Sequence, residues 1–420
     1  MKMIFAPDSF KGTLSSIEVI EILRRSAGLH FPDAEIIALP IADGGEGTVD
    51  AIVTALGGEF CFAEVTGPLP SMVVRAKYGM INLLSNDTTS VTKASVRKVA
   101  IKNAAVRKVA VIEMAQASGL PLLTAEQRNP LKTTTFGTGE LISVALNEGA
   151  DEIILGIGGS ATNDGGIGAA AALGVKFLTS GKMPLNSFAG GDLGKITGID
   201  LSDVDPRLMK CKITIICDVK NPLTGPTGAT RIFGPQKGAS PEILEILEDG
   251  MCSYAKIIDE MHMKSSGGSI SSISGTGAAG GLAVPFLAFF NAGLKPGITT
   301  ILDLADFDNL LEGASLVITG EGRIDGQSVF GKVPVGVASR CKLKNVPCIA
   351  IVGAIGDGAA QVYDYGIDSI MSIYNKNMTL EDALEKNASL LVEAADRMFR
   401  MIKTGFMIRV KVNNQGEESM

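Results

Sequence analysis

One local grammar recurs along this chain and limits what it can fold into: a short continuous apolar run, a loop bearing Gly or Asp, then helical spacing of apolar residues. Its first instance is "MIFAPDSFKG" followed by "TLSSIEVIEILRRSAG", where Ile17, Ile20 and Leu23 share a helical face behind Ser and Thr residues suited to capping. It returns in "EIIALPIADGGEGTVDAIVTAL", "EIILGIGGSATNDGGIGAAAAL", "SLVITGEGRIDGQSVFGKVPVGVASRC" and "PCIAIVGAIGDG". Uninterrupted apolar strands joined by helices predict mainly parallel sheets covered on both faces. In such sheets the ligand crevice forms from the loops after the carboxyl ends of the strands.

A chain of 420 residues is too long for one ordinary domain, and 46% hydrophobic against 20% charged residues is ample for two cores. The first and last parts supply strands of one kind, and the middle carries strand-helix units of its own. The expected fold class is therefore α/β: a discontinuous Rossmann- or flavodoxin-like parallel-sheet domain (1–75 plus 286–405), with a second α/β domain (76–285) inserted and a cleft between them. Residues 85–108 are polar and hold a short duplication, Val96–Ala100 recurring as Val106–Ala110, which reads as a surface insertion. Residues 406–420 read as a flexible tail.

A net charge of −7 and few aromatic residues disfavour a nucleic-acid partner, which needs a basic surface or stacking platforms. The six cysteines are scattered without a CxxC pair, and there are only two histidines, so reduced structural thiols and no zinc site are expected. The N-terminal segment turns polar after six residues, and the longest apolar stretch, "LAVPFLAFF", is half a membrane span and contains proline. A cytoplasmic protein without a membrane partner is the expectation.

The chemistry-bearing residues crowd into the loops after the apolar runs. In "GIGGSATNDGGIG", closely spaced glycines before a helix predict a backbone anion cradle lined by Gly158, Gly159, Ser160 and Thr162, with Asn163 and Asp164 within reach of a metal or substrate. A second glycine-rich turn, "SGTGAAGGLAV", offers Gly277 and Gly280 for a similar role. "GQSVFGKV" nearly matches a phosphate-binding loop, but Val333 replaces the Ser or Thr that a metal ion requires, so that assignment is rejected. Asp8, Asp43, Glu46, Asp164, Asp218, Glu321 and Asp325 all lie at or beside strand ends, and "TGEGRID" places Arg323 between two acids. Ser9 and Lys11 follow Asp8, and Lys237 stands in "FGPQKGA"; these lysines are the candidate cations. No histidine is placed for a Ser-His-Asp arrangement.

The ordered set "APDSFKG", "ADGGEGT", "IEMAQASGL", "TTTFGTGELI", "GIGGSATNDGG", "CDVKNPLTG", "FGPQKGA", "GTGAAGG" and "VITGEGRID" resembles the bacterial glycerate kinase family of the two-domain α/β type, from the first residues to about residue 400. The resemblance implies transfer of the ATP γ-phosphoryl group to D-glycerate, with Mg²⁺, in the cleft between the domains. The 2-hydroxyl is the usual acceptor in that family, and 3-phosphorylation is also assigned to members. It carries over Asp8, Lys11, Asp43, Glu46, Asn163, Asp164, Asp218, Lys237, Glu321, Arg323 and Asp325. Of these, Lys11 and Arg323 are expected to hold carboxylate or phosphate, Asp43 or Asp164 to orient the acceptor hydroxyl, and Asp218, Glu321 and Asp325 to hold metal. A homodimer is left open. The chain departs from the family pattern at the insertion before "VIEMA", at Pro70, at Ser274 and at Ser328.

Overall fold

The computed structural model describes residues 1–10, 12–42, 44–85, 105–265, 268–374 and 378–417. Lys11, Asp43 and most of the expected insertion lie outside the described residues. The chain divides into two compact units, Met1–Ala42 with Ile301–Met420, and Asp43–Thr300.

The outer unit begins with strands β1 (Lys2–Pro7) and β2 (Glu35–Ala38) around the helix Ser16–His30. Ser15 caps that helix by accepting from the Glu18 amide while the Glu18 carboxylate accepts from the Ser15 amide, so two orphan donors are satisfied reciprocally. Ser16, Val19, Ile20, Leu23 and Ala27 form its buried face, whereas Ile17, expected on that face, is exposed.

The chain then builds the inner unit from β3 (Glu59–Thr66), β4 (Val73–Ser85), β5 (Ala105–Glu113), β6 (Glu152–Gly156), β7 (Lys176–Leu178), β8 (Gly198–Asp200), β9 (Lys212–Ile216) and β10 (Gly293–Lys295). It returns to the outer unit for β11 (Leu316–Ile324), β12 (Cys348–Ile355) and β13 (Ser369–Ser372).

The outer sheet has the order β13-β12-β11-β1-β2 with every pair parallel. Met3 and Phe5 face Leu23, Leu391 and Phe399 on one side of it, while Ile4 and Val317 are fully buried on the other. His30 Nε2 lies 2.7 Å from Asp396 Oδ1, tying the end of the first helix to the last one. That last helix, Asn387–Glu417, includes residues 406–417, so most of the expected tail continues a helix.

The inner sheet has the order β10-β9-β6-β5-β4-β3, and β7 and β8 form a separate two-stranded sheet. It is parallel from β5 through β6 and β9 to β10, but β4 runs antiparallel to both β3 and β5, so the expectation of mainly parallel pairing fails at this edge. The expected domain boundary at residue 75 therefore cuts through β4, whose register with β3 runs from Glu59↔Met80 to Thr66↔Val73. The boundary at 286 cuts the helix Ala283–Phe289, whose Val284 and Phe286 belong to the inner core. Observed crossings between the units fall at 42/43 and 300/301.

The second copy of the duplicated pentapeptide, Val106–Ala110, is strand rather than surface extension, since Val109 and Ala110 are fully buried in β5. Ser85 pairs with Ala105, so residues 86–104 enter and leave at two neighbouring strand ends. An insertion placed there leaves the register of every strand pair unchanged. Replacing residues 86–104 with an Asn-Gly turn should leave the thermal midpoint unchanged or higher, because shortening the closed loop gains up to about 2 kcal/mol. Differential scanning calorimetry of the two chains checks this, and a large fall would show that the segment supports the fold.

Candidate active site

In the outer unit β1 winds on to β2 on one side, and β11 winds on to β12 on the other, so the direction reverses between the neighbours β1 and β11. Loops diverge at such a point and leave a crevice beyond the strand ends. Asp8 follows β1 at this point, and Glu321, Arg323 and Asp325 occupy the end of β11 and the start of its loop.

The Asp8 amide donates to the Gly320 carbonyl at 2.8 Å, and its own carboxylate accepts from the Ser9 amide at 2.7 Å. Glu321 is 7% exposed, and its Oε1 accepts from the Ser328 hydroxyl at 2.9 Å. Burial pushes the Glu321 carboxyl up to about 7; nearby Lys332 pulls it down, while Asp8 and Asp325 add to the rise. The Arg323 side chain is largely exposed, with Nε 3.3 Å from Asp325 Oδ2. Lys332 Nζ stands 3.9 Å from Glu321 Oε2 and 3.8 Å from Asp325 Oδ1.

In the inner unit the loop after β6 is half-buried at Gly158, exposed at Gly159 and buried from Ser160 through Asp164. Asp164 is wholly buried, and its carboxylate accepts from the Thr135 amide (2.7 Å) and hydroxyl (2.8 Å) and from the amides of Gly166 (3.1 Å) and Gly168 (3.4 Å). The donors on this internal anion come from Thr135, Gly166 and Gly168, not from the expected cradle residues Gly158, Gly159, Ser160 and Thr162, and burial raises the Asp164 carboxyl against their pull. Asn163 Nδ2 donates to Thr230, and Lys237 Nζ donates to the Thr162 carbonyl at 2.6 Å. Thr162 Oγ1, Asn163 Oδ1 and the Tyr254 hydroxyl are buried without a partner.

The second glycine turn is a packing element. Gly280 has φ +67°, and a Cβ there would lie 2.2 Å from the Thr162 carbonyl oxygen, while one at Gly277 would lie 2.1 Å from the Pro222 carbonyl oxygen. Gly158, Gly159 and Ser160 lie in the β6 loop, where the Gly158 amide donates to the Gly44 carbonyl at 3.3 Å. Glu46 is exposed on that neighbouring loop. Asp218 follows β9, is exposed, and accepts from the Gly297 amide at 3.0 Å.

The structure therefore gathers Asp8, Ser9, Glu321, Arg323 and Asp325 in the outer unit, and Thr162, Asn163, Asp164, Lys237 and Gly280 in the inner one. Asp218 stands in the inner unit, whereas Glu321 and Asp325 stand in the outer. Among the described residues no three Asp, Glu, His or Cys side chains form a group that could hold a metal ion. A magnesium ion carried on phosphates needs only one or two carboxylates beside waters. Glu321 and Asp325, both within reach of one ammonium, fit that mode.

The model of the Glycerate kinase family matches residues 3–403. The chain belongs to the glycerate kinase family. It is 44% identical over 411 residues to a glycerate kinase of Bacillus subtilis (strain 168), covering 97% of this chain and 100% of that one. It is also 44% identical over 384 residues to a glycerate 2-kinase of Escherichia coli (strain K12), covering 91% and 93%. The crystal structure of a protein described as glycerate kinase 2 from Salmonella typhimurium LT2 superposes with a TM-score of 0.80 at 41% identity, over 97% of this chain and 99% of that one.

Three residues of this family member escaped the reading of its sequence. Glu113, at the end of β5, is buried and accepts from the Val49 amide at 2.7 Å, holding the start of the helix Thr48–Leu56; it ends an apolar run as the other acids do. Thr135 is the side chain that seats Asp164, and nothing in its string of threonines singled it out. Lys332 had a signal, the near match to a phosphate-binding loop that Val333 spoils.

Lys237 makes the inner unit sensitive to pH. Burial pulls its ammonium down to about 7, with Asp164 opposing, from an ordinary value of 10.5. The unfolded chain then takes up a proton between about pH 10 and 7 while the folded one does not, so stability falls as pH is lowered through that window and levels off below it. Lys237→Met should abolish this slope. Thermal midpoints of both chains from pH 7 to 10 check it, and parallel curves would refute it.

Proposed function

We infer that this protein is a glycerate kinase, transferring the γ-phosphoryl group of ATP to a hydroxyl of D-glycerate. The observation that carries this is near-full-length identity of 44% to glycerate kinases, in a chain whose acids and arginine gather at the switch point of a parallel sheet. The relative from Escherichia coli is named a glycerate 2-kinase, which supports the 2-hydroxyl as acceptor and 2-phosphoglycerate as product. We place this activity in the cytoplasm, with small molecules as the ligands, and with no nucleic acid or membrane as partner.

Arg323, held at one edge by Asp325, presents a guanidinium whose planar fork suits the glycerate carboxylate or a phosphate. Lys11 is assigned with it, from its place in the loop after β1. Glu321 and Asp325 would hold Mg²⁺ with the nucleotide, where it would supply positive charge to the phosphates. Ser328 orients Glu321 for this by donating to Oε1.

Asp43 and Asp8 are the candidates to accept the proton of the attacking hydroxyl. Asp164, its oxygens already engaged by four donors, is better assigned to positioning: it fixes the Thr133–Phe136 turn and the loop after β6. Closure of the protein around its substrates would keep water from competing for the phosphoryl group.

Phosphorus NMR of ATP and D-glycerate with the enzyme tests activity and regiochemistry together. A phosphate ester on the 2-oxygen couples to one proton and gives a doublet; one on the 3-oxygen couples to two and gives a triplet. The doublet is expected. Absence of glycerate-dependent ADP, or faster turnover with another hydroxy or sugar acid in a substrate panel, would overturn the assignment. Asp8→Asn should lower kcat/KM by at least about a hundredfold, as loss of a proton acceptor does, with Asp164→Asn showing its effect in the thermal midpoint as well.

A further inference from the structure

The segment Gly326–Lys332 carries the spacing of a phosphate-binding loop, and its lysine ends up beside acids. Both of its ion-pair distances, 3.9 Å to Glu321 and 3.8 Å to Asp325, exceed the length of a hydrogen bond. Among the described residues charge alone holds the ammonium there. The lysine side chain is 40% exposed, while those of Glu321 and Asp325 are 9% and 22% exposed, so a cation half in solvent covers two carboxylates that lie deeper.

The backbone delivers it to that place. Gly331, at φ +100°, turns the chain, and Lys332 stands extended at the start of the helix Val333–Leu343, whose N-terminus no side chain caps. The positive end of that helix and the ammonium therefore lie together beyond the end of β11. Arg323, the other cation on Asp325, approaches that carboxylate through its other oxygen, Oδ2 rather than Oδ1.

We propose that Lys332 contacts the β-phosphate and the transferring phosphoryl group of the nucleotide, and that without nucleotide it holds Glu321 and Asp325 in place of the divalent ion. When those carboxylates take the ion that arrives with the nucleotide, two like charges would compete for them. The ammonium, unbonded and on a four-carbon stem, then moves to phosphate oxygens that the ion leaves uncovered. A compact point charge suits that task better than a planar guanidinium. This rests on the phosphoryl-transfer reading above, and it adds a residue that the reading did not include.

Two binding measurements separate the idea from a merely structural ion pair, and neither needs turnover. In Lys332→Met, Mn²⁺ measured alone by electron paramagnetic resonance should bind several-fold tighter, because a competing cation is gone. ADP measured by calorimetry without metal should bind about tenfold weaker or worse, as expected on losing a charge-assisted phosphate contact. In steady state kcat should fall at least about a hundredfold, with KM for glycerate little changed, and Lys332→Arg should recover part of the ADP affinity.

A lysine that only braces its loop would weaken metal and nucleotide binding together and lower the thermal midpoint. That pattern, or unchanged ADP affinity, overturns the proposal. If the wild-type chain forms no ADP with glycerate, the parent reading fails instead, and the Mn²⁺ and ADP titrations still decide the role of Lys332.

Discussion

The pairing of β1 with β11 is the contact on which the rest of the outer unit depends. Met3 lies opposite Leu316 and Pro7 opposite Gly320, so the sheet pairs two neighbouring strands between which, in sequence, the whole inner unit stands. Contacts of such sequence separation form late, because the closure entropy must be met before they contribute. The inner unit, whose strands pair within Asp43–Thr300, has no such debt and is free to fold first. Its own folding shortens the effective loop that the outer sheet must close.

The same pairing creates the chemistry. It brings Asp8 beside Gly320 through a backbone hydrogen bond, and so places an acid from the start of the chain next to Glu321, more than three hundred residues on. Burial raises the proton affinity of Glu321, and the nearby charge of Asp8 adds to the rise. An uncompensated cluster of this kind would be costly to fold. Lys332 and Arg323 offset it without burying it, since both retain solvent, and a site balanced by mobile cations can exchange them for others when a ligand arrives. The inner unit solves its charge problem the opposite way. Asp164 accepts from backbone and threonine donors and Lys237 donates to a backbone carbonyl, with both side chains shut away from water.

These two solutions explain how far the sequence could be read. Strand-loop-helix units and the acids at their ends were legible because each is local: a buried parallel strand must be a continuous apolar run, and its loop must begin where the run stops. Lys237 and Asp164 looked like ligand groups for the same reason that Glu321 did, standing after or near such runs. Whether a group of that kind faces outward or inward is decided by partners remote in sequence, Thr135 and Thr162 among them, and no local pattern carries that information. The antiparallel β3–β4–β5 edge was missed on similar grounds. Phe60, Phe62 and Val73 are exposed apolar residues on these strands, so their alternation is blurred, and the boundary was drawn through a hairpin.

Glycine is the most ambiguous signal. The loops "GIGGSATNDGG" and "GTGAAGG" have the composition of anion nests, and at two positions their glycines also answer a packing constraint: the Gly165 amide donates to the Gly280 carbonyl at 2.8 Å, and a Cβ at Gly280 would overlap the Thr162 carbonyl. Two backbones this close can exchange hydrogen bonds directly. A glycine-rich turn is thus ambiguous between approach to a phosphate and approach to another turn. The charged neighbour resolves it. Where the nearby lysine is buried against a carbonyl, as Lys237 is, the ammonium already has a partner; where it stands half in solvent over carboxylates, as Lys332 does after Gly331, a ligand can still claim it.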